Sequence, residues 1–312
     1  GWTGATGQAG ATGSFNVNAW LITGNTGTTS GTNFVGTNDN QAILFKTNGL
    51  DTLRINTNGT LEPLRSTFIG IGVGVGSTGS ESIAIGSGAL TANLIPSSIA
   101  IGQNASALSN STTLAIGTDA GRFNTSGVLN TCVGHNASRN NLVGSSITSF
   151  GANACQNTRG NSNSGFGANC LSGVSGSTGT VNSAFGALSM TAYTTASRCA
   201  SFGSQSLQST TTGSDNSAFG ALSMNLNTIG TSNSAFGKSA LRAGVTGIAS
   251  SAFGANALEF NRSSFNCAFG ASALGNNTTG VNNNAFGYQS LSQGTTGSAN
   301  TAFGNQSLIS LN

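Results

Sequence analysis

Side chains suited to acid–base or nucleophilic chemistry are few and widely spaced in this chain. The only His, His135, directly follows Gly134, and we expect a solvated surface position there, because the base of a catalytic triad must lie beside its nucleophile. Of the seven Asp and Glu residues, only Asp119, Asp215 and Glu259 lie beyond position 81. Glycosidase chemistry needs two carboxylates at a defined separation, and these three are too scattered to predict such a pair. The sequence therefore predicts no catalytic residue and a protein that is not an enzyme.

Two Gly-rich segments match parts of known binding motifs but lack the rest. Gly237-Lys238-Ser239 matches the end of a phosphate-binding loop, yet Ser232 stands where that motif requires another Gly. The segment 70–76 alternates Gly with Ile and Val, and no helix is expected after it. The Gly-Gly-x-Gly-x-Asp motif of calcium-binding β-rolls is absent from the sequence. We therefore predict no cofactor and no metal site.

The cysteines favour free thiols. Their number, five, is odd and no Cys-x-x-Cys pair occurs, which argues against a complete disulfide framework and against zinc. Free thiols favour assembly in a reducing cytoplasm, and a virus particle assembled inside a cell fits this better than a secreted bacterial protein. We expect buried or half-buried free thiols at Cys132, Cys155, Cys170, Cys199 and Cys267.

The composition excludes several other classes. Charged residues make up 5% of the 312 residues, and Gly supplies 47. Ten Lys and Arg residues spread along the chain form no basic patch, so no nucleic-acid partner is expected. Poor helix formers dominate, and no apolar stretch of about eighteen residues occurs, so we expect neither a helical protein nor membrane insertion. A net charge of only +3 and seventeen Phe argue against disorder, and the start at Gly1 suggests a piece of a longer protein.

One motif, a small residue followed by an apolar residue and Gly, recurs fifteen times from Phe68 onward. Successive motif glycines are 15 to 19 residues apart, most often 17. This period is too short for helical-hairpin repeats of about 33 residues, and it fits one coil of a parallel β-solenoid with two short strands and two turns. The motif glycines are Gly70, Gly86, Gly102, Gly117, Gly134, Gly151, Gly167, Gly186, Gly203, Gly220, Gly237, Gly254, Gly270, Gly287 and Gly304.

Stacked coils place equivalent residues about 4.8 Å apart, so two apolar ladders are predicted. We expect both to be buried, each side chain contributing about 1.5–3 kcal/mol. The first, directly before the motif Gly, comprises Ile69, Ile85, Ile101, Ile116, Val133, Phe150, Phe166, Phe185, Phe202, Phe219, Phe236, Phe253, Phe269, Phe286 and Phe303. The second, four residues after it, comprises Leu90, Leu171, Met190, Leu207, Met224, Leu241, Leu258, Leu274, Leu291 and Leu308.

Two further columns are polar or small. Asn recurs four residues before the motif Gly, where stacked amides can hydrogen-bond along the fibre direction. A second Gly recurs ten residues after the motif Gly, where we expect a turn with positive φ. The Asn column is Asn163, Asn182, Asn216, Asn233, Asn266, Asn283 and Asn300, and the Gly column is Gly213, Gly230, Gly247, Gly280 and Gly297.

The predicted core is thin. One Phe and one Leu per coil must offset the ordering of about seventeen residues, each of which costs over about 1 kcal/mol. Sharing a face with identical copies would bury more apolar surface per residue. We therefore predict a homo-oligomer, and a homotrimer on the grounds given next.

The first copies of the motif, Ser82-Ile83-Ala84-Ile85-Gly86 and Ser98-Ile99-Ala100-Ile101-Gly102, closely resemble the head repeat of YadA-like trimeric autotransporter adhesins. The resemblance spans residues 66–312, and in later copies Ser and Phe replace the two Ile residues. It implies a left-handed parallel β-roll, of which three pack into one head. The expected fold class is therefore an all-β, homotrimeric parallel β-solenoid of about 15 short coils.

The N-terminal residues differ from the repeat. Gly occupies every third position in residues 1–13, which resembles a collagen-like stalk, and a crowded three-chain axis requires such spacing. Within residues 14–65, two segments, Trp20-Leu21-Ile22-Thr23-Gly24 and Asn33-Phe34-Val35-Gly36-Thr37, resemble a module that precedes solenoid repeats in phage-type tail fibres. Alternation at 42–46 and 51–56 predicts two strands, with turns at Asn48-Gly49 and Asn58-Gly59.

These features predict a structural component of a trimeric fibre on a virion or cell surface, outside the cell, that attaches to a host or another surface. The partners expected are two further copies and a host-surface glycan or protein receptor, because three copies of a weak site gain avidity. Segments 141–146, 172–182 and 191–197, which depart from the repeat, are the candidate contact loops. A purely structural fibre or sheath without a receptor is the alternative. An ice-binding solenoid, suggested by a partial Thr row nine residues after the motif Gly, is a third.

Overall fold

The computed structural model describes residues 41–47, 50–55, 61–63, 67–70, 82–91, 98–108 and 113–310. The chain divides into two units, residues 1–64 and 65–312. The predicted collagen-like segment 1–13 and residues 14–40 of the predicted module lie outside the described residues.

In the first unit, three short strands form an antiparallel sheet in the order β1 (Ile43–Thr47), β2 (Leu50–Ile55) and β3 (Leu61–Pro63). The two strands predicted at 42–46 and 51–56 are present, displaced by one residue, and a register shift lies between Phe45 and Lys46. Pro63, which lacks a backbone donor, ends β3 at the edge of the sheet.

The second unit is a parallel β-solenoid. Its fifteen strands form one parallel sheet in chain order, so that each coil adds one strand of three or four residues beside the last. This confirms the predicted all-β solenoid class. The strands are β4 (Thr67–Ile69), β5 (Ile83–Ile85), β6 (Ile99–Ile101), β7 (Thr113–Ile116), β8 (Asn130–Val133), β9 (Thr148–Phe150), β10 (Ser164–Phe166), β11 (Ser183–Phe185), β12 (Ala200–Phe202), β13 (Ser217–Phe219), β14 (Ser234–Phe236), β15 (Ser251–Phe253), β16 (Cys267–Phe269), β17 (Asn284–Phe286) and β18 (Thr301–Phe303).

The expectation of two strands per coil is wrong. After the strands from β5 onward the chain turns sharply instead, and the second-ladder residues adopt left-handed backbone conformations, such as φ 50° at Leu241 and Leu258. Residues two after and five before the motif Gly are left-handed as well, for example Gln205 at 58° and Asp215 at 60°. A left-handed L-residue costs about 1–2 kcal/mol, so packing and hydrogen bonds between coils must hold these turns.

The motif glycines are required by two independent constraints. Gly237 has φ 138°, and a Cβ on it would lie 2.5 Å from the carbonyl oxygen of Gly254 in the next coil. Backbone passes backbone this closely at the motif glycines from Gly86 to Gly287, whereas at Gly304 nothing lies within 4 Å of such a Cβ and the φ of 115° alone favours Gly.

The second Gly column does not have the positive φ expected of it, since the left-handed conformations found at the motif glycines are absent at Gly213 and Gly280. Gly is required in this column only because the backbone of the next coil approaches too closely for a side chain. A Cβ on Gly280 would lie 2.1 Å from the carbonyl oxygen of Gly297.

The core consists of small residues and the second ladder, except for its last member, Leu308, which is exposed. Ala two residues before the motif Gly, as at Ala218 and Ala235, is fully buried, and so are Leu207 and Leu258. Where the core Ala is replaced, its neighbours compensate: at Gly165 the missing Cβ leaves room for the sulfur atoms of Cys155 and Cys170, which lie 2.6 and 3.1 Å from where it would be. The interior is thus a narrow, closely packed column.

Candidate functional site

The first apolar ladder forms a stack on the outside of the solenoid. Ten Phe rings, Phe150 to Phe303, lie parallel with centroids 4.6 to 5.2 Å apart and interplanar angles of 3° to 6°. In-register pairing of successive strands, such as Phe219 with Phe236, sets this spacing. The spacing matches the distance between hydrogen-bonded strands.

The expectation that this ladder is buried is wrong for the single chain. Phe236 and Phe269 keep 36% and 37% of their surface exposed, and Phe303 at the last strand keeps 69%. The reason is strand geometry: successive side chains point to opposite faces, so Ala points inward and the residues on either side of it point outward. Ile101 and Ile116 continue the outward stripe through the earlier coils.

This outer stripe, defined here as the fifteen first-ladder residues from Ile69 to Phe303, forms a continuous apolar row across the fifteen paired strands. At one residue per strand spacing it is about 70 Å long. Monomeric proteins rarely leave a continuous apolar patch of this extent uncovered. The stripe therefore has the character of an interface.

The side chains of the Asn column lie inside the solenoid and form hydrogen bonds between coils. Their partners are backbone groups, not the stacked amides that the sequence predicted. Asn216 donates its Nδ2–H to the Gly230 carbonyl oxygen at 2.7 Å, and its Oδ1 accepts the backbone N–H of Asn233 at 3.0 Å. Asn233 and Asn283 repeat both contacts in later coils. The amides therefore bond to the backbone of the next coil, which satisfies groups that the turns leave without strand partners.

Two other arrangements of Asn side chains were not predicted from the sequence. On the surface, the amides of Asn136, Asn153 and Asn169 do bond to one another, at 3.1 and 3.0 Å. Inside, Asn124 and Asn141 each bracket a turn, accepting from and donating to the backbone of the Gly three residues later. Both residues lie seven positions after a motif Gly, and this recurrence is the sequence pattern that could have predicted them.

The described acidic residues of the repeat each pair with Arg. Asp215 accepts two bonds from Arg198 of the preceding coil, at 2.6 and 2.8 Å, and these bonds lower the pKa of its carboxyl. Glu259 pairs with Arg242 at 2.9 Å in the same way. Asp119, the remaining described acid of the repeat, lies 3.2 and 3.3 Å from two Arg side chains, and His135 is exposed. Each acid thus joins neighbouring coils, and within the described residues no group of three or more metal-ligating side chains occurs.

The thiols lie where expected. Cys132, Cys155, Cys170 and Cys199 are buried, Cys267 is half-buried, and all five are free. Burial raises the pKa of Cys132 to about 11 and that of Cys170 to about 12, because the low-dielectric interior disfavours a thiolate. The four buried thiols act as small apolar residues of the core.

The Thr row offers no regular ice face. Half-buried Thr194, Thr211 and Thr228 donate their hydroxyls to carbonyl oxygens of the next coil. These three lie one residue before the predicted Thr row, which is exposed at Thr212 and is interrupted by Ile229.

The candidate contact loops are turns within the stack rather than protrusions from it. Segment 172–182 belongs to the longest coil, which has 19 residues, and it includes the isolated bridge from Ser177 to Thr158. Val174 and Val181 there are exposed.

Comparisons with protein-family models, with curated proteins and with solved structures find no match. No long apolar helix capable of crossing a bilayer is found in the part of the chain that the structure describes. Fold and surface together define a parallel β-solenoid repeat protein with an apolar outer stripe. Its stacked short coils are compatible with a β-roll.

Proposed function

We propose that this chain is the structural unit of a homotrimeric fibre on a virion or cell surface, with attachment to a host as its purpose. The observation that carries the proposal is the outer stripe. Its stacked side chains remain partly exposed in one chain, and a second and third copy offer an identical, self-matched apolar surface. Burying such surface gains about 25 cal/mol per Å².

The collagen-like pattern of residues 1–13 supports three chains independently, because Gly at every third position suits a triple helix. The resemblance of residues 82–86 and 98–102 to a trimeric adhesin head supports both the oligomer and the attachment function. A fibre of stacked coils presents the same surface many times, so that weak contacts add by avidity.

The test is the solution mass of the full chain by light scattering. We expect about three times 30.7 kDa, stable on dilution. A variant with Phe219→Ser, Phe236→Ser and Phe253→Ser should dissociate while its β circular-dichroism signal persists. The matched control changes exposed positions of the same coils outside the stripe, Ala221→Ser, Lys238→Ser and Ala255→Ser, and should remain trimeric. A folded wild-type monomer would contradict the proposal.

The scaffold alternative predicts the same trimer and no receptor. Binding of the intact trimer to host cells, measured against the dissociated triple Phe variant, separates the two.

A further inference from the structure

A small polar groove opens on the face of the solenoid formed by residues two, five and six after the motif Gly. It spans the three coils that begin at Gly254, Gly270 and Gly287, and its volume is about 180 Å³. The groove is lined by Asn256, Glu259, Ser272, Gly275, Asn276, Gln289, Ser292 and Gln293.

The groove exists because the middle coil carries small residues at its centre. Gly275 occupies the column that holds Arg242 and Glu259 in the two preceding coils, and Ser272 lies between Asn256 and Gln289 in its own column. The surface is therefore indented at the middle coil, because the neighbouring coils carry longer side chains.

The lining is unusually rich in groups that both donate and accept hydrogen bonds. Four carboxamides and two hydroxyls surround one carboxylate, Glu259, which Arg242 holds at 2.9 Å. Some surface amides bond to each other, as Asn136 does to Asn153, and in the lining Gln289 accepts such a bond from Gln306 at 2.9 Å. Within the described residues, the side chains of Asn256 and Asn276 have no such protein partner.

We propose that this groove binds a neutral sugar unit of a host-surface glycan. Carboxamides and hydroxyls satisfy the paired donor and acceptor of a sugar hydroxyl. The lining contains no cationic side chain that could pair with an anionic ligand such as sialic acid, and its one carboxylate is already paired with Arg242. A volume below the 300–1,000 Å³ or so of pockets for drug-sized molecules restricts the site to about one ring.

This inference rests on the proposed attachment function and gives its receptor a chemical class. Three copies of a one-ring site bind weakly alone and gain avidity on a trimer, so polyvalent probes are needed to detect them.

The experiment measures binding of the full-length protein to polyvalent glucose, galactose, mannose and N-acetylglucosamine conjugates, with a sialic acid conjugate as the anionic comparison. We expect at least one neutral conjugate to bind more strongly than sialic acid. The groove variant Asn256→Ala with Asn276→Ala should weaken that binding at least about tenfold, an amount that corresponds to about 1.4 kcal/mol.

The control variant, Asn136→Ala with Asn157→Ala, removes amides from the same two columns, also one coil apart, on a distant part of the solenoid. It should bind as the wild type does. Absence of neutral-sugar binding, or equal loss in both variants, overturns the inference. Light scattering on each sample shows separately whether the trimer has formed, so failure of the groove and failure of the fibre proposal are distinguishable.

Discussion

At the scale of single residues, two features require Gly at the motif position: its positive φ and the close approach of the next coil. We expect Gly237→Ala to cost about 3 kcal/mol or more, because φ 138° is strained for Ala and the new Cβ would meet the Gly254 carbonyl oxygen at 2.5 Å. Urea unfolding measures this loss.

The matched control is Gly244→Ala, where φ is not positive and the nearest atom is 3.3 Å away. It should change the unfolding free energy by about 1 kcal/mol or less. Equal losses in the two variants would contradict the close-approach explanation.

The buried thiols predict a dependence on alkaline pH. Burial raises the pKa of Cys132 from 9.0 to about 11, so the folded protein retains a proton that the unfolded chain releases above pH 9. The stabilisation from this thiol is complete below pH 9 and is lost as the pH rises toward 11. Cys132→Ala, which restores the usual core residue, should flatten the decline by up to about 1.4 kcal/mol per pH unit.

Urea denaturation at pH 8, 9, 10 and 11 tests this. The half-buried Cys267 is the comparison, and Cys267→Ala should alter the slope less. Parallel curves for the wild type and Cys132→Ala would show that the pKa of this thiol is the same in the folded and the unfolded chain.

At the scale of the element, a coil is held to the next by its Asn column. Asn233→Ala removes the bonds from its Nδ2 to the Gly247 carbonyl oxygen and from the Ser250 N–H to its Oδ1, at 2.7 and 2.9 Å. Both backbone partners are buried, so we expect a loss of about 2–4 kcal/mol in the free energy of unfolding.

Asn256→Ala, on the surface, should cost about 1 kcal/mol or less in the same thermal or urea measurement. A small cost at both positions would mean that water replaces the column's bonds.

At the scale of the whole molecule, the solenoid is a stack of equivalent units, each contacting its neighbours. Deleting residues 221–237 removes one complete coil and joins Gly220 to the residue that follows Gly237. The two apolar ladders and the Asn column stay in phase, so we expect a folded protein with a cooperative thermal transition.

Deleting only residues 221–228 shifts every column of one coil out of phase and should abolish the cooperative transition seen by circular dichroism. If both deletions behaved alike, the coil would not be the structural unit.

Much of the fold was predictable because the length of the repeat alone determines which residues of neighbouring coils are stacked. The recurrence of Gly at 15 to 19 residues determined which residues pair between coils, and the observed register of Phe219 with Phe236 follows from it. Strand alternation also indicated which residues of a strand share a face, although not which face is the interior. In Ser-Ala-Phe, strand alternation places Phe on the face of Ser and opposite Ala.

Other features needed the tertiary structure. The backbone partners of Asn216, the close approach at Gly280 and the left-handed turn at Leu241 depend on the path of the chain between strands, which period does not specify. The polar groove joins residues of three coils around a missing side chain at Gly275.

The sequence by itself thus determined a parallel β-solenoid and the membership of its ladders, since a repeated chain with one hydrogen-bond spacing can stack in register only on its equivalents. The tertiary structure decided which ladder forms the core and which forms the outer stripe, because φ and ψ at each position, not the repeat length, set where a side chain points.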